Sequence, residues 1–345
     1  MKVSIGTKIK DGPWGGGNLF AINLKNYLES RGHDVYFDLK QDDLDIILIT
    51  EPRKTSESSA FTHIDVFNYL KHINSNSLVI HRINECDERK QTDYVNDYLI
   101  SANQIADGTI FVSSWLKDLY ISHGLSNNNL NVIMAGANKD IFNSVNNVPW
   151  NGVSKMKIVT HHWGANWNKG FDTYSQLDSL LTHDDYKEKF EFTYIGNLPD
   201  NFEFKNSKHI LPMSGLDLAT EIKKHDVYLT GSLNEPSGNH HIEAAQCGLP
   251  LLFINSGGIP EYCINYGVEF NPENFLEKLN EMYDNYFYYL KKIKSYPYNS
   301  FIMCEEYENL FTSMLDSKSS YKDKRIIPQN LKLYNKYFFA LKRLF

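Results

Sequence analysis

Short apolar runs alternate along the chain with stretches of helical length, and the alternation occurs in two series. Strands buried on both faces of a parallel sheet are continuous apolar runs, and crossover helices connect them. The pattern therefore predicts an α/β fold with two parallel sheets. The runs are residues 2–5, 45–50, 78–80, 109–112 and 131–134 in the first series, and 157–160, 192–195, 227–230, 250–254 and 268–270 in the second.

A polar stretch that contains proline and glycine, residues 143–152, lies between the two series. At 345 residues the chain exceeds the size that one hydrophobic core usually serves. Interdomain linkers are typically polar and rich in proline and glycine. We therefore predict one domain over residues 1–150, a second over 151–300, and a C-terminal segment over 301–345.

The composition excludes several classes of protein. With 42% hydrophobic and 22% charged residues, the chain is typical of soluble globular proteins, and its apolar runs are far shorter than the ~20 residues of a transmembrane helix. The first residues lead into a strand pattern without the apolar core of a signal peptide. The four cysteines lack paired spacing, and the net charge of -7 argues against nucleic-acid binding. We expect a cytoplasmic protein.

Two helix starts can be predicted from their caps. After three glycines, Asn18 is a candidate N-cap of a helix that ends near Gly32, and residues 33–37 begin the next strand. Ser113 or Ser114 is a candidate cap for a similar helix.

Residues 231–250 contain the most informative pattern of the chain. They follow an apolar run, include a glycine-bearing turn, and open a short helix that ends near Gly248. The free N–H groups and the dipole of a helix N-terminus bind phosphate. Glu235 in the loop and Glu243 in the helix are carboxylates that accept hydrogen bonds from sugar or ribose hydroxyls. The segment therefore indicates a site for an extended polar ligand.

This segment resembles the E-x7-E motif of GT-B glycosyltransferases, in particular the retaining family 4, and residues 256–261 continue the resemblance. The resemblance implies two Rossmann-like domains whose parallel sheets face a cleft, with the acceptor on the N-terminal side and the nucleotide-sugar donor on the C-terminal side. It implies that Glu235 faces the donor sugar as a catalytic residue and that Glu243 binds the ribose. The turn that would donate to the sugar and the diphosphate comprises Gly238, Asn239 and His240.

Residues 161–172 resemble the loop of the same family that ends in Lys-Gly. The resemblance implies that Lys169 neutralises the diphosphate as the leaving group gains charge, which makes it catalytic as well as donor-binding. The arginine usual five positions earlier is replaced here by Gly164. Stabilisation of the phosphate would then depend on His161, His162 or Asn166. The alternative for the two histidines is that they are packed at the end of a strand.

In the first domain, residues 12–18 resemble the glycine loop of these enzymes. Glycine permits close approach of the backbone to a ligand, so Gly15, Gly16 and Gly17 are expected to bind the donor diphosphate. An ordinary turn is the alternative.

A charged loop follows the apolar run 78–80, at a strand end where open α/β sheets bind ligands. The resemblance implies that His81 approaches the transferred sugar as a catalytic residue. A solvated surface loop is the alternative. The candidates for acceptor contacts are Trp14, Arg82, Glu85 and Asp87.

The expected reaction transfers a sugar from a UDP- or GDP-sugar to a glycan, glycolipid or other acceptor, with retention of configuration. No aspartate-rich metal motif occurs in a matching context, so neither a metal nor another cofactor is expected, and the nucleotide-sugar is a co-substrate. The alternatives are a catalytically weak nucleotide-sugar or carbohydrate-binding protein of the same fold, a sugar-nucleotide epimerase and a phosphorylase.

The C-terminal residues 318–345 carry six lysines and two arginines against one aspartate, which gives +7 locally and -14 for the rest. A helix over 304–315 is expected to cross back to the first domain. If residues 329–345 are helical, they resemble helices that lie on anionic membranes. The tail either rests on the inner face of a membrane or packs against the acidic body or a partner subunit. The apolar face would comprise Leu331, Tyr334, Phe338, Leu341 and Phe345.

Overall fold

The computed structural model describes residues 1–10, 15–127, 129–325, 328 and 330–343. It forms two compact units, the first made of Met1–Met134 with Phe301–Phe345 and the second of Ala135–Ser300. Each unit contains a six-stranded sheet, and the paired strands are parallel. The predicted α/β fold with two parallel sheets is confirmed.

The strands follow the apolar runs of the sequence. They are β1 (Lys2–Ile5), β2 (Asp34–Tyr36), β3 (Ile46–Ile49), β4 (Leu78–Ile83), β5 (Gly108–Phe111), β6 (Leu130–Val132), β7 (Met156–His162), β8 (Phe190–Gly196), β9 (Lys208–Ile210), β10 (Val227–Thr230), β11 (Leu251–Ile254) and β12 (Gly267–Phe270). The first sheet has the order β2-β1-β3-β4-β5-β6 and the second β12-β11-β10-β7-β8-β9. The sequence does not predict β9, because this short edge strand is mostly exposed and has no apolar run.

Helices connect most successive strands in both units, and the last four follow the final strand. They are α1 (Gly16–Ser30), α2 (His63–His72), α3 (Asp87–Lys90), α4 (Val95–Asn103), α5 (Ser114–Ser122), α6 (Phe171–Leu180), α7 (Asp184–Lys187), α8 (Gly215–Ile222), α9 (Asn239–Gln246), α10 (Ile259–Cys263), α11 (Phe275–Ile293), α12 (Ser300–Asp316), α13 (Lys318–Lys324) and α14 (Lys336–Lys342).

Of the two predicted caps, one is confirmed and one is wrong. Ser113 is the N-cap of α5, and its Oγ accepts a hydrogen bond from the N–H of Leu116 at 3.2 Å. Helix α1 instead begins at Gly16, with Gly15 as the N-cap. The Asn18 side chain accepts from the N–H of Lys10 at 3.0 Å and donates to its carbonyl at 2.8 Å. Asn18 therefore ties the backbone of Lys10 to the helix.

The first sheet buries both of its faces. Ile46 and Leu48 of β3 belong to one apolar cluster with α1 and α12, whereas Ile47 and Ile49 belong to a second cluster with α2. Successive residues of a strand point to opposite faces, so a sheet between two helical layers requires a continuous apolar run.

The units divide after Met134 rather than at residue 150, where the polar linker suggests a boundary. The N–H of Ala135 donates to the Tyr262 hydroxyl at 2.9 Å, and the N–H of Trp150 donates to the Tyr286 hydroxyl at 3.1 Å. The Trp150 ring is buried against aromatic residues of α11. This anchor attaches the polar segment to the second unit, whereas α12 packs in the core of the first unit.

The C-terminal tail differs from the predicted helix. Helix α14 covers only Lys336–Lys342, and the predicted end residues Gln329 and Phe345 lie outside the described residues. Phe339, which the pattern does not select, is buried, whereas Phe338 and Leu341 are exposed. Within the described part of the chain, no helix has the length and apolar character to cross a bilayer.

Candidate functional site

Three loops of the second unit follow the carboxyl ends of neighbouring parallel strands. They are residues 163–170 after β7, 231–238 after β10 and 255–258 after β11, and these strands are adjacent in the sheet. Carboxyl ends of parallel strands share one sheet edge, and open α/β sheets bind ligands there. The two motifs of the second half of the sequence therefore lie side by side.

Lys169 and Glu235 form a largely buried ion pair at this edge. The Lys169 Nζ lies 2.7 Å from Glu235 Oε2. The backbones of the two loops are also joined, since the N–H of Leu233 donates to the Asn168 carbonyl at 2.8 Å and the Ser232 hydroxyl donates to the Lys169 carbonyl at 3.3 Å. The structure thus brings the Lys-Gly loop and the first glutamate of the motif into direct contact.

Two glycines permit this contact between the loops. Gly170 has a φ of 104°, and a Cβ there would lie 2.7 Å from the carbonyl carbon of Gly231. Gly257 has a φ of 63°, and a Cβ there would lie 2.5 Å from the carbonyl oxygen of Glu235. The next residue, Gly258, donates its N–H to that same oxygen at 2.9 Å. Gly257 and Gly258 therefore fix the backbone of Glu235.

Glu243 is buried in α9 and paired with His161, the penultimate residue of β7. Glu243 Oε2 lies 2.9 Å from His161 Nε2, and the Tyr228 hydroxyl lies 3.2 Å from His161 Nδ1. A carboxylate only accepts hydrogen bonds, so a neutral His161 carries its proton on Nε2 and donates it to Glu243. Burial raises the pKa of Tyr228 well above its usual value, so its protonated hydroxyl can donate to Nδ1.

His162 and His240 are packed beside these pairs. His162 Nε2 lies 2.7 Å from the Tyr174 hydroxyl, His240 Nε2 lies 2.9 Å from Thr230 Oγ1, and the two imidazole centroids are 4.5 Å apart. Burial holds the pKa of both histidines well below the usual value, and Lys169 adds to the effect. Both imidazoles are therefore neutral near neutral pH.

The position of the missing arginine lies next to Lys169. A Cβ at Gly164 would lie 3.7 Å from Lys169 Cε, which is ordinary van der Waals contact. Asn166 is exposed, and its carbonyl accepts the N–H of Lys169 at 3.0 Å. The loop thus presents Asn166 to solvent. His162, in contrast, is packed at the end of β7, as in the alternative interpretation of the two histidines.

The turn that opens α9 is shaped by Gly238, which has a φ of 73°. A Cβ there would lie 2.8 Å from His240 Cε1 and 3.0 Å from Glu235 Cγ. Asn239 is the first residue of α9, and among the described residues no side chain caps this end. Its N–H groups and the helix dipole suit an anionic ligand.

The glycines of the first unit lie at the N-terminus of α1. Gly15 is its N-cap and Gly16 is its first residue. Among the described residues, which exclude 11–14, no side chain caps this end and a Cβ at Gly15 or Gly17 would meet no atom within 4 Å. The described residues therefore leave room for a ligand at Gly15 and Gly17. The acceptor candidate Trp14 lies outside the described residues.

His81 does not fit the expected contact with a sugar. It lies in β4 with no exposed surface, and its Nδ1 is 3.1 Å from Asn103 Nδ2. Burial lowers its pKa to about 3. The strand continues two residues beyond His81, to Ile83, so this histidine lies within the sheet and not at its edge.

The other acceptor candidates of the first unit also have internal partners. Asp87 caps α4, because its carboxylate accepts the N–H groups of Val95 at 2.9 Å and Asn96 at 2.8 Å. Arg82 is buried, with its guanidinium 4.0 Å from the centroid of Phe20. Glu85 forms an ion pair with Lys90 at 2.5 Å.

Sequence reasoning missed two groups of residues at the site. Tyr228 and Tyr174 reach the histidines through contacts between elements, which no local pattern reveals. The exposed Trp163 and Trp167 lie in the loop that contains Lys169, and large aromatic side chains in a polar loop are a recognisable signal in a sequence.

Comparisons with known proteins agree with this geometry. Residues 190–299, which include Glu235 and Glu243, match the family model described as glycosyl transferases group 1. A comparison with curated proteins finds no match.

The structure is similar to several solved structures that cover almost the whole chain. Sucrose-phosphate synthase from Thermosynechococcus elongatus has a TM-score of 0.62 at 12% identity, over 92% of this chain and 99% of that one. The catalytic domain of Starch Synthase IV from Arabidopsis thaliana, bound to ADP and acarbose, has a TM-score of 0.68 at 12% identity, over 91% of this chain and 99% of that one. Anabaena HepE in complex with UDP and glucose has a TM-score of 0.63 at 13% identity, over 90% and 99%.

At these identities the structural similarity establishes the fold, and the family match establishes the kind of domain that contains the two glutamates. The chain is therefore a glycosyltransferase with the GT-B fold, and residues 190–299 of its second unit match the glycosyl transferases group 1 family.

Proposed function

We propose that this glycosyltransferase moves a sugar from a UDP- or GDP-sugar to a glycan or glycolipid, with retention of configuration and without a metal ion. The observation that carries the proposal is the arrangement of two pairs at one sheet edge, Lys169 with Glu235 and His161 with Glu243. One cation and two carboxylates match the diphosphate, the donor sugar and the ribose of a single extended ligand.

Glu243 is the proposed ribose ligand. His161 donates to Oε2, and a carboxylate has acceptor sites for further hydrogen bonds on both oxygens. Ribose hydroxyls are donors that can use this capacity. The buried position of Glu243 makes such hydrogen bonds stronger than they would be in water.

Lys169 is the proposed partner of the diphosphate. When the bond between the anomeric carbon and the phosphate oxygen breaks, negative charge accumulates on the leaving diphosphate. An ammonium group fixed in a largely buried site stabilises that charge, and the N-terminus of α9 adds backbone N–H donors. Glu235 positions the ammonium and can accept hydrogen bonds from the donor-sugar hydroxyls.

Retention follows from attack on the face that the leaving group occupies. The acceptor hydroxyl oxygen bonds to the anomeric carbon as the bond to the diphosphate breaks, and a phosphate oxygen takes the hydroxyl proton. This scheme leaves Glu235 in its pair with Lys169 and needs no carboxylate nucleophile. The residues at the site thus act by fixing charges and orienting the donor.

A nucleotide-sugar binding protein without transferase chemistry is the second candidate. Two observations favour it, namely Gly164 at the position of the usual arginine and the neutral state of His162 and His240. We favour the transferase because Lys169 is retained beside Glu235. Glycan or glycolipid assembly at the inner face of a membrane is the proposed setting.

The proposal is tested by a thermal-shift screen of UDP-, GDP-, ADP- and CMP-sugars, followed by donor hydrolysis or transfer with the sugar that binds. We expect Glu235→Ala and Lys169→Ala each to lower turnover by about 100-fold or more, because each removes a fixed charge from the site. Glu188→Ala, whose side chain is 71% exposed, is the matched control and should retain full turnover.

Three outcomes would contradict the proposal. Wild-type protein that binds a nucleotide-sugar but never hydrolyses or transfers it would support the binding protein instead. Full turnover in the Lys169 variant would remove this lysine from catalysis. Loss of turnover in EDTA, restored by Mg²⁺ or Mn²⁺, would show that a metal takes part.

A further inference from the structure

The segment 330–343, here called the tail strap, is held to the first unit by backbone hydrogen bonds. The N–H of Tyr334 donates to Asn68 Oδ1 at 2.6 Å, and Asn68 Nδ2 donates to the carbonyl of Lys332 at 2.9 Å. At the other end, Arg343 donates through Nε to the carbonyl of Leu39 at 2.6 Å. The strap is thus fixed at both ends.

The inner side of the tail strap is part of the hydrophobic core. Phe339 is 1% exposed and belongs to the cluster that includes Ile47 of β3 and Phe67 of α2. Leu331 and Tyr334 pack against the same cluster. Burial of a phenylalanine side chain stabilises this arrangement, so the opposite side of α14 has a defined orientation.

The outer side of the tail strap exposes large apolar side chains. Tyr337 is 81% exposed, Phe338 is 56% exposed and Leu341 is 59% exposed, and Leu333 just before the helix is 56% exposed. Residues three and four positions apart are neighbours on a helix surface, so Tyr337, Phe338 and Leu341 form one patch. Contiguous apolar patches with a polar rim mark interaction surfaces.

The charge of the tail strap indicates what covers this patch. Residues 330–343 include four basic residues and no acidic residue, in a protein whose net charge is -7. Lys342 and Arg343 pair with Asp65 and Asp42 of the first unit, so Lys332 and Lys336 carry the attraction to a surface. Lys332 and Lys336 are exposed beside the apolar patch. The protein as a whole is repelled by an anionic surface, so attraction to one must come from a local basic region such as this.

We propose that the outer side of the tail strap lies on an anionic lipid bilayer, with Tyr337, Phe338 and Leu341 at headgroup level and the lysines on lipid phosphates. An apolar face flanked by lysines is the composition of helices that lie in the membrane interface. Attachment through Phe339 and Arg343 places the first unit against the bilayer. The inference rests on the proposed function only for its setting, a glycolipid acceptor.

The test is flotation of the full-length protein with phosphatidylglycerol–phosphatidylcholine vesicles and with vesicles of phosphatidylcholine alone. We expect binding to the anionic vesicles at low salt and release at high salt. The triple variant Tyr337→Ser, Phe338→Ser, Leu341→Ser should bind at least about tenfold more weakly. Lys332→Glu with Lys336→Glu should lose about fivefold or more per lysine. The matched control replaces three exposed apolar residues of the second unit by serine, Val153, Ile264 and Tyr288.

The proposal is overturned if wild-type protein does not float at low salt, if the triple variant floats like wild type, or if neutral vesicles bind equally well. Concentration-dependent dimerisation that the triple variant loses, without vesicle binding, would also overturn it and assign the patch to a second copy. Hydrolysis of a soluble donor is measured without vesicles in each variant. Absence of hydrolysis in the wild-type protein contradicts the proposed function. A variant that still hydrolyses the donor but no longer floats with vesicles has lost only the membrane contact of the tail strap.

Discussion

At the residue scale, Glu243 is a carboxylate whose environment prepares it for ligand hydroxyls. His161 fills one acceptor position and Tyr228 fixes the imidazole, so the carboxylate is oriented before a ligand arrives. Preorganised groups lose less entropy on binding and contribute more to affinity. This is the physical reason why the second glutamate of the motif lies in a helix that packs on the end of β7.

We predict that Glu243→Gln weakens the binding of the nucleoside diphosphate by roughly 1.5–3 kcal/mol, because a charge-assisted hydrogen bond to the ribose is lost. Isothermal titration with UDP and GDP measures the change. Tyr228→Phe removes only the hydroxyl beside His161 Nδ1 and should cause a smaller loss. Unchanged affinity in Glu243→Gln would exclude this residue from the site.

Lys169 is the cation that the described part of the second unit places beside both loops. The neighbouring His162 and His240 are neutral because burial lowers their pKa, so they do not replace the positive charge of the usual arginine. The position of that arginine, Gly164, is close to Lys169 and does not have the positive φ that only glycine tolerates well.

Gly164→Arg should therefore fold and should increase the stabilisation of the leaving diphosphate. A second cation at the developing charge is expected to raise kcat by about tenfold or more, since removal of one such donor typically costs more than that. Gly164→Gln, a long side chain without charge, is the control. A fall in kcat in both variants would show that the loop needs glycine for its shape.

At the element scale, the sequence predicts the strands well because burial on both faces leaves a continuous apolar run. The prediction from sequence fails where an element is determined by backbone pairing or by tertiary contacts and not by an apolar run. The edge strand β9 pairs through its backbone and exposes its side chains. The orientation of the tail helix is set by Phe339, which is buried in a hydrophobic cluster of the first unit. A helical face drawn from the sequence alone cannot show which side chain that cluster buries.

Some residues of the candidate site can be predicted from the sequence and others cannot. Glu235 and Lys169 could be predicted to lie together because both follow carboxyl ends of strands in a motif of known order, and they are 2.7 Å apart. The prediction for His81 is wrong because the apolar run predicts that the strand ends at residue 80, whereas β4 continues to Ile83. The His161–Glu243 pair depends on the position of α9 above β7, which is a tertiary property.

At the scale of the whole molecule, the chain buries histidines that bear no charge. Burial lowers the pKa of His81 and His241 to about 3 and that of His225 to about 4, against an ordinary value of 6.5. Below pH 6.5 the unfolded chain therefore takes up protons that the folded protein does not. Asp226 acts in the opposite direction, because burial raises its pKa to about 6 and the folded protein then binds the extra proton.

These three histidines, together with His162 and His240, outweigh one aspartate, so we predict that the free energy of unfolding falls as the pH is lowered from 6.5 towards 5. Each buried histidine contributes a slope of up to roughly 1.4 kcal/mol per pH unit in this range. Urea unfolding at several pH values measures the slope in wild type and in His241→Phe, which retains a ring that can pack on Tyr262. The slope should decrease in this variant and stay unchanged in His183→Gln, since His183 is exposed. An equal slope in wild type and His241→Phe would mean that His241 is protonated in the folded protein, and its burial would then require a compensating charge.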